Sequence, residues 1–231
     1  SATNVWFQWS LTGQLNGVLV STLAGFVPGN AEGIGTAAKF NQPYGLAADA
    51  GGNIFVADTK NHRIRRIATD GTVTTFAGTG AAGFADGPGA NAQFNEPTSV
   101  AIDALGTLYV CDSLNHRIRA ITPAGEVRTY AGFLGEPGFT DGVSSAARFF
   151  TPFGVAVDVG GSLYVTDRDN HRVRKVATNG SVSTLAGTGT PGTTNGAGNL
   201  AQFNKPLGIA VDAAGFVYVT EATRHPIRKV A

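Results

Sequence analysis

Hydrophobic residues in this chain fall into short runs closed off by Gly, Asp or Asn, a pattern of strands and tight turns rather than of amphipathic helices. The first complete set occupies residues 45–49, 53–57, 63–67 and 72–76, mostly in β-favouring residue types. The connections at 50–52, 58–62 and 69–71 are short enough for antiparallel hairpins, so the set predicts a four-stranded meander with strands a to d. A longer Gly-rich stretch, 78–97, then leads to the next strand a. Its length suffices to cross from the outer edge of one sheet to the inner edge of the next, which is how propeller blades are joined.

The set recurs. Phe40, Phe94, Phe149 and Phe203 stand 54, 55 and 54 residues apart, and Pro43, Pro97, Pro152 and Pro206 follow each by three. Asp49, Asp103, Asp158 and Asp212 keep the same spacing, as do His62, His116, His171 and His225. A fixed long period decides the architecture before any single residue does. The expected fold is all-β: a β-propeller of four-stranded antiparallel blades, four of them from this chain, with repeats at about 18–71, 72–125, 126–180 and 181–231 behind a non-repeat segment 1–17. Registration at the ends adds an expectation. The chain starts on a d-like run, 18–25, and stops after a c-like run, 226–230, so pairing of the two would complete the last blade and hide its edge. Residues 4–10 hold both tryptophans, Trp6 and Trp9, and are expected to form an extra edge strand on that blade or an anchor for a partner.

The wording of the repeat resembles the NHL-repeat family. Residues 53–65 and 162–174 carry it most clearly, each with an Asp, then Asn-His-Arg: Asp58 with Asn61, His62 and Arg63, and Asp167 with Asn170, His171 and Arg172. The fourth copy departs, with Glu221 in the Asp position and Arg224, His225 and Pro226 in place of the triplet. Propellers of that family commonly carry about six blades, so the four copies fit a four-bladed ring, part of a larger ring or one of two half-rings. The resemblance extends to propeller lyases and lactonases with an axial metal, and to RNA-binding modules.

Composition narrows the options. With 42% hydrophobic residues in 231, the chain buries a substantial core without disulfides; its single cysteine, Cys111, reads as a small buried residue. A formal net charge of +1 gives no global attraction to nucleic acid or to an anionic membrane. No apolar run is long enough to span a bilayer, and the first residues have no signal-peptide pattern. The absence of Met points to a processed or excised segment, with the compartment open and an extracellular or periplasmic one favoured.

Residues needed once per blade are expected to serve the blade. The histidines and aspartates therefore read as framework, the basic pairs of strand c as ion-pair partners, and Glu32, Asp86, Asp141 and Asn195 as turn formers. No nucleophile–base pair and no metal set is visible, and the inner strands are small and apolar, so no catalytic residue and no cofactor is expected. Function is expected where the frame repeats and the side chain does not. Flanking the repeated prolines, Gln42, Tyr44, Glu96, Thr98, Thr151, Phe153, Lys205 and Leu207 should ring the mouth of the central channel, with the variable b–c loops at 59–60, 113–114, 168–169 and 222–224 around them. The expected role is a non-catalytic scaffold recognising a protein, glycan or small ligand there, acting as a monomer or as paired half-rings.

Overall fold

The structure is a computed structural model that describes residues 20–132, 135–223 and 226–231. Blade 1 contains β1 (Gly33–Ile34), β2 (Pro43–Ala48), β3 (Ile54–Asp58), β4 (Arg63–Ile67) and β5 (Thr72–Ala77), in the sheet order β1-β5-β4-β3-β2. Blade 2 repeats it with β6 (Gly87–Pro88), β7 (Pro97–Ile102), β8 (Leu108–Asp112), β9 (Arg117–Ile121) and β10 (Glu126–Ala131). Blade 3 is the four-stranded sheet β11 (Pro152–Val157), β12 (Leu163–Asp167), β13 (Arg172–Val176) and β14 (Val182–Ala186). Among the described residues blade 4 consists of β15 (Pro206–Val211), β16 (Val217–Glu221) and β17 (Ile227–Val230). The molecule is thus an all-β propeller of four antiparallel blades, and among the described residues no helix is long and apolar enough to cross a membrane.

Each inner strand opens on its repeated proline, where no ladder hydrogen bond is needed, and carries a register shift just after it. The inner strands β2, β7, β11 and β15 pack side by side in that order. Glycine makes the approach possible. A Cβ on Gly45 would stand 2.6 Å from Ser99 Cα of the next blade, and Gly154 meets the Leu207 backbone in the same way. The phenylalanines that mark the period are the plugs between blades: Phe94, Phe149 and Phe203 are buried, whereas Phe40, at the start of the series, is half-buried.

The expected closure is not made. Among the described residues Ile227–Val230 pairs only with Val217–Glu221, and residues 20–25 belong to no strand; Gly25 N–H donates instead to Gly35 O at 3.1 Å. The side chains show the consequence, with Val20 97% and Ile227 76% exposed. Residues 18 and 19, and the tryptophans at 6 and 9, lie outside the described residues. The physical reason is geometric: inner strands of consecutive blades are packed together, but no such packing joins β2 to β15, so the two ends of the series stay apart.

Candidate functional site

The polar framework sets the site, and it begins with a buried ion pair in each blade. Arg65, Arg119 and Arg174 are fully buried and meet Asp58, Asp112 and Asp167 at 3.1, 2.7 and 2.7 Å. In blade 2 the Asp112 carboxylate also accepts Asn95 N–H at 2.7 Å and Asn115 Nδ2 at 2.9 Å, so both oxygens are used. Arg119 further bonds Asp86 at 2.6 Å and the carbonyls of Gln93 and Ala85, with its guanidinium over the Phe94 ring. Asp86 and Asp141 are thus more than turn formers: each ties an arginine to the backbone of the outer strand, at Thr129 and Thr184. Glu32 does the latter for Thr75. In blade 4 Glu221 keeps the pattern, accepting from Arg228 Nη1 at 2.8 Å and from Asn204 N–H.

The histidines join blades. The b–c connections coil into single 3-10 turns (Thr59–Asn61, Ser113–Asn115, Arg168–Asn170), and the His after each lies in the left-handed region, φ 52–55°, which the Asn-His pair tolerates. From there His62, His116 and His171 each use Nδ1 to accept the backbone N–H of Glu96, Thr151 and Lys205 in the following blade, all at 3.1 Å. The receiving residues, with Gln42, also have positive φ, 50–54°. Hydroxyls reinforce the joints: Thr59 Oγ1 donates to Pro97 O, Ser113 Oγ to Pro152 O and Thr166 Oγ1 to Leu207 O, at 2.6–2.7 Å.

An imidazole accepting through Nδ1 is neutral with its proton on Nε2, and burial holds all three pKa values below the ordinary 6.5. The sign follows. A depressed folded value means this contribution to stability is complete above the ordinary imidazole pKa and is lost as pH falls through the folded one. Asp167, whose carboxyl burial pushes up to about 6, runs the opposite way in the same range, so the clean readout is residue-resolved. In an NMR titration the Hε1 signals of His62, His116 and His171 should titrate below 6.5. Any of them titrating above that value would mean that its Nδ1 is not an acceptor in solution.

The 3-10 turns and the d–a connections share one face, bonded through Lys60 N–H to Asn41 O, Leu114 N–H to Asn95 O and Asp169 N–H to Phe150 O. On that face Tyr44 of blade 1 and Phe153 of blade 3 meet edge to face, with centroids 5.8 Å apart, and the Arg168 guanidinium lies 5.8 Å above Phe153. Tyr44 is 60% exposed. Gln42 and Lys205 are exposed, and Leu207 is half-buried. Glu96 is half-buried and paired with Lys60 Nζ at 2.5 Å, so its charge is already met within the protein. Thr98 and Thr151 are placed differently from the surface role expected of them. Both are buried, and Thr98 Oγ1 bonds Phe153 O at 2.7 Å while contacting Ser113 Oγ, which makes it part of the joint between blades. A further aromatic was not anticipated: Phe150 stands where the other copies have Asn41, Asn95 and Asn204, and its ring packs on His116 at 5.6 Å. That break in the repeat was the available signal.

Among the described residues no group of three His, Cys, Asp or Glu is placed to hold a metal ion. The inner-strand side chains Leu46, Val100, Val155 and Ile209 offer no ligand atoms.

Comparison with known proteins agrees with this architecture. The family model described as NHL repeat matches residues 40–67, 94–121 and 151–176. The human NHL repeat-containing protein 2 is 28% identical over 250 residues, covering 93% of this chain and 34% of its own length, so the chain spans about a third of that relative. Among solved structures, an auxiliary nutrient binding protein from Bacteroides ovatus superposes with a TM-score of 0.66 at 22% identity, over 84% of this chain and 49% of its own. Virginiamycin B lyase from Staphylococcus aureus does so with 0.53 at 16%, over 81% and 54%. At these identities the likeness is one of fold.

Proposed function

This chain belongs to the NHL-repeat β-propellers, and from that premise we propose that it is a non-catalytic recognition scaffold that takes up a protein segment, a glycan or a small ligand on the channel-mouth face. The observation that carries the reading is the aromatic pair Tyr44–Phe153 with Arg168 over it. Aromatic rings give large contact area at little rotamer cost, and a guanidinium beside them orients a polar or anionic group. The pair is assembled from two blades far apart in sequence, each held by its buried ion pair. The exposed Gln42 and Lys205 stand on the same face and supply further polar contacts. A propeller similar in fold is described as nutrient binding, which supports a binding role; others are lyases and lactonases. The apolar inner strands favour binding over chemistry at the axis.

Screening against glycan and peptide arrays identifies the ligand class. Tyr44→Ala and Phe153→Ala should then each weaken binding by about 1–3 kcal/mol, the scale of an interface hot spot. Asp70→Ala and Asn179→Ala, in c–d turns on the opposite face, should leave it unchanged. Binding that survives both mouth substitutions and fails with the turn variants would move the site to the other side of the propeller.

A further inference from the structure

The residue before each of the inner strands β7 and β11 is held in a strained backbone by the preceding blade. Glu96 and Thr151 have φ of 52° and 54°, a region costly for any side chain and most of all for a β-branched one. Each lies between two anchors. Asn95 N–H is bound by the Asp112 carboxylate at 2.7 Å and Pro97 O by Thr59 Oγ1 at 2.6 Å, whereas the Glu96 N–H between them is bound by His62 Nδ1. Around Thr151 the anchors are Phe150 N–H on Asp167 at 2.8 Å and Pro152 O on Ser113 Oγ at 2.6 Å, and the N–H between them is bound by His116 Nδ1. A single peptide plane, 95–96 or 150–151, is therefore free to turn as a crank. It swings its N–H away and relaxes φ while both anchors stay in place.

We propose that acid turns this crank: a proton from solution bonds to Nδ1 of His62 or His116, the acceptor becomes a donor facing an N–H, the bond across the joint breaks, and Glu96 or Thr151 leaves the left-handed region. Among the described residues the charges acting on His62 are Glu96 of blade 2 and Lys60 of its own turn, and those acting on His116 are Asp169 of the blade 3 turn and Glu136 of the connection before it. The carboxylates attract the proton, whereas burial, the largest influence on both rings, holds its uptake below the ordinary 6.5. The anchoring carboxyls of Asp112 and Asp167 are pushed up by burial, Asp167 to about 6, so they too gain protons as pH falls. Each imidazolium then faces a carboxylate, Glu96 or Asp169, that favours the turned state. The face of the 3-10 turns thus has two backbone states, and pH selects between them. The switch is a property of the frame and needs no ligand.

Amide exchange followed by NMR on the intact chain tests it. Between about pH 7.5 and about pH 5, after correction for intrinsic rates, protection of the Glu96 and Thr151 N–H should fall, by about tenfold per pH unit once below the imidazole value. The Thr151 Cα and Cβ shifts should move from left-handed to extended values, while the amides of β8, which lies between β7 and β9, keep their protection. His116→Asn puts a carbonyl oxygen where Nδ1 stands, tolerates positive φ and does not titrate. In that variant the Thr151 N–H should stay protected in acid while the Glu96 N–H still opens, and His62→Asn should reverse the two. Protection of either N–H that does not change with pH in the unmodified protein overturns the proposal. So does a loss that leaves the Thr151 shifts in place, an equal loss across β8, or a loss at Thr151 undiminished in His116→Asn, which would put the deciding proton on Asp167 or Asp169.

Discussion

Arg119→Ala is expected to lower stability by about 3–5 kcal/mol, because it leaves a buried carboxylate without its counterion. Arg119 and Asp112 are both fully buried and 2.7 Å apart, and the same guanidinium holds Asp86 and two carbonyls. Burial already pushes the Asp112 carboxyl up, against the pull of Arg119. Without the arginine that carboxyl must take up a proton or draw in water. Arg66→Ala in the neighbouring blade, an exposed arginine bonded to Asn53, should cost under about 0.5 kcal/mol. Denaturant unfolding of the two variants checks the contrast. A loss below about 1 kcal/mol for Arg119→Ala would show that the pair does not govern the fold, and adding Asp112→Asn to Arg119→Met should recover part of the loss.

Phe149→Ala should cost about as much, roughly 3–5 kcal/mol, through a cavity between blades 2 and 3. Its ring is fully buried, and the Arg174 guanidinium lies 5.1 Å from its centroid. Phe40→Ala removes the same number of atoms from the matching position of blade 1, where the ring is half-buried, and should cost distinctly less. Equal losses would mean that the end of the series is as tightly packed as its interior.

The period made the architecture legible, because repetition reports what every blade needs regardless of what each residue does. Strand c of blade 1 was read at its observed bounds, 63–67, and the inner strand began two residues earlier than read because the proline takes the first strand position. What the sequence concealed were partners one blade away. His62 reads as a local turn residue, yet it bonds Glu96, 34 positions on, and Asp86 reaches Thr129, 43 positions on. Thr98 looked variable and surface-bound, but a threonine hydroxyl serves a buried joint as well as an exposed site, and only the neighbouring Ser113 decides between them. Parity put Tyr44 and Phe153 on one face. Their contact was not legible, since it depends on how tightly the blades converge.

The joints between blades share a property with a longer reach. Each donor or acceptor offered by one blade, whether His Nδ1 or a Thr or Ser hydroxyl, ends on a main-chain atom of the next: the N–H of Glu96, Thr151 or Lys205, or the carbonyl of Pro97, Pro152 or Leu207. In these hydrogen bonds the receiving blade is met through its backbone, while the phenylalanine plugs and the Lys60–Glu96 pair add side-chain contacts at the same joints. Duplication or loss of one repeat therefore leaves these hydrogen bonds intact whatever side chains stand at the positions of Glu96, Thr151 and Lys205, so those residues can diverge without loosening the joints they sit on.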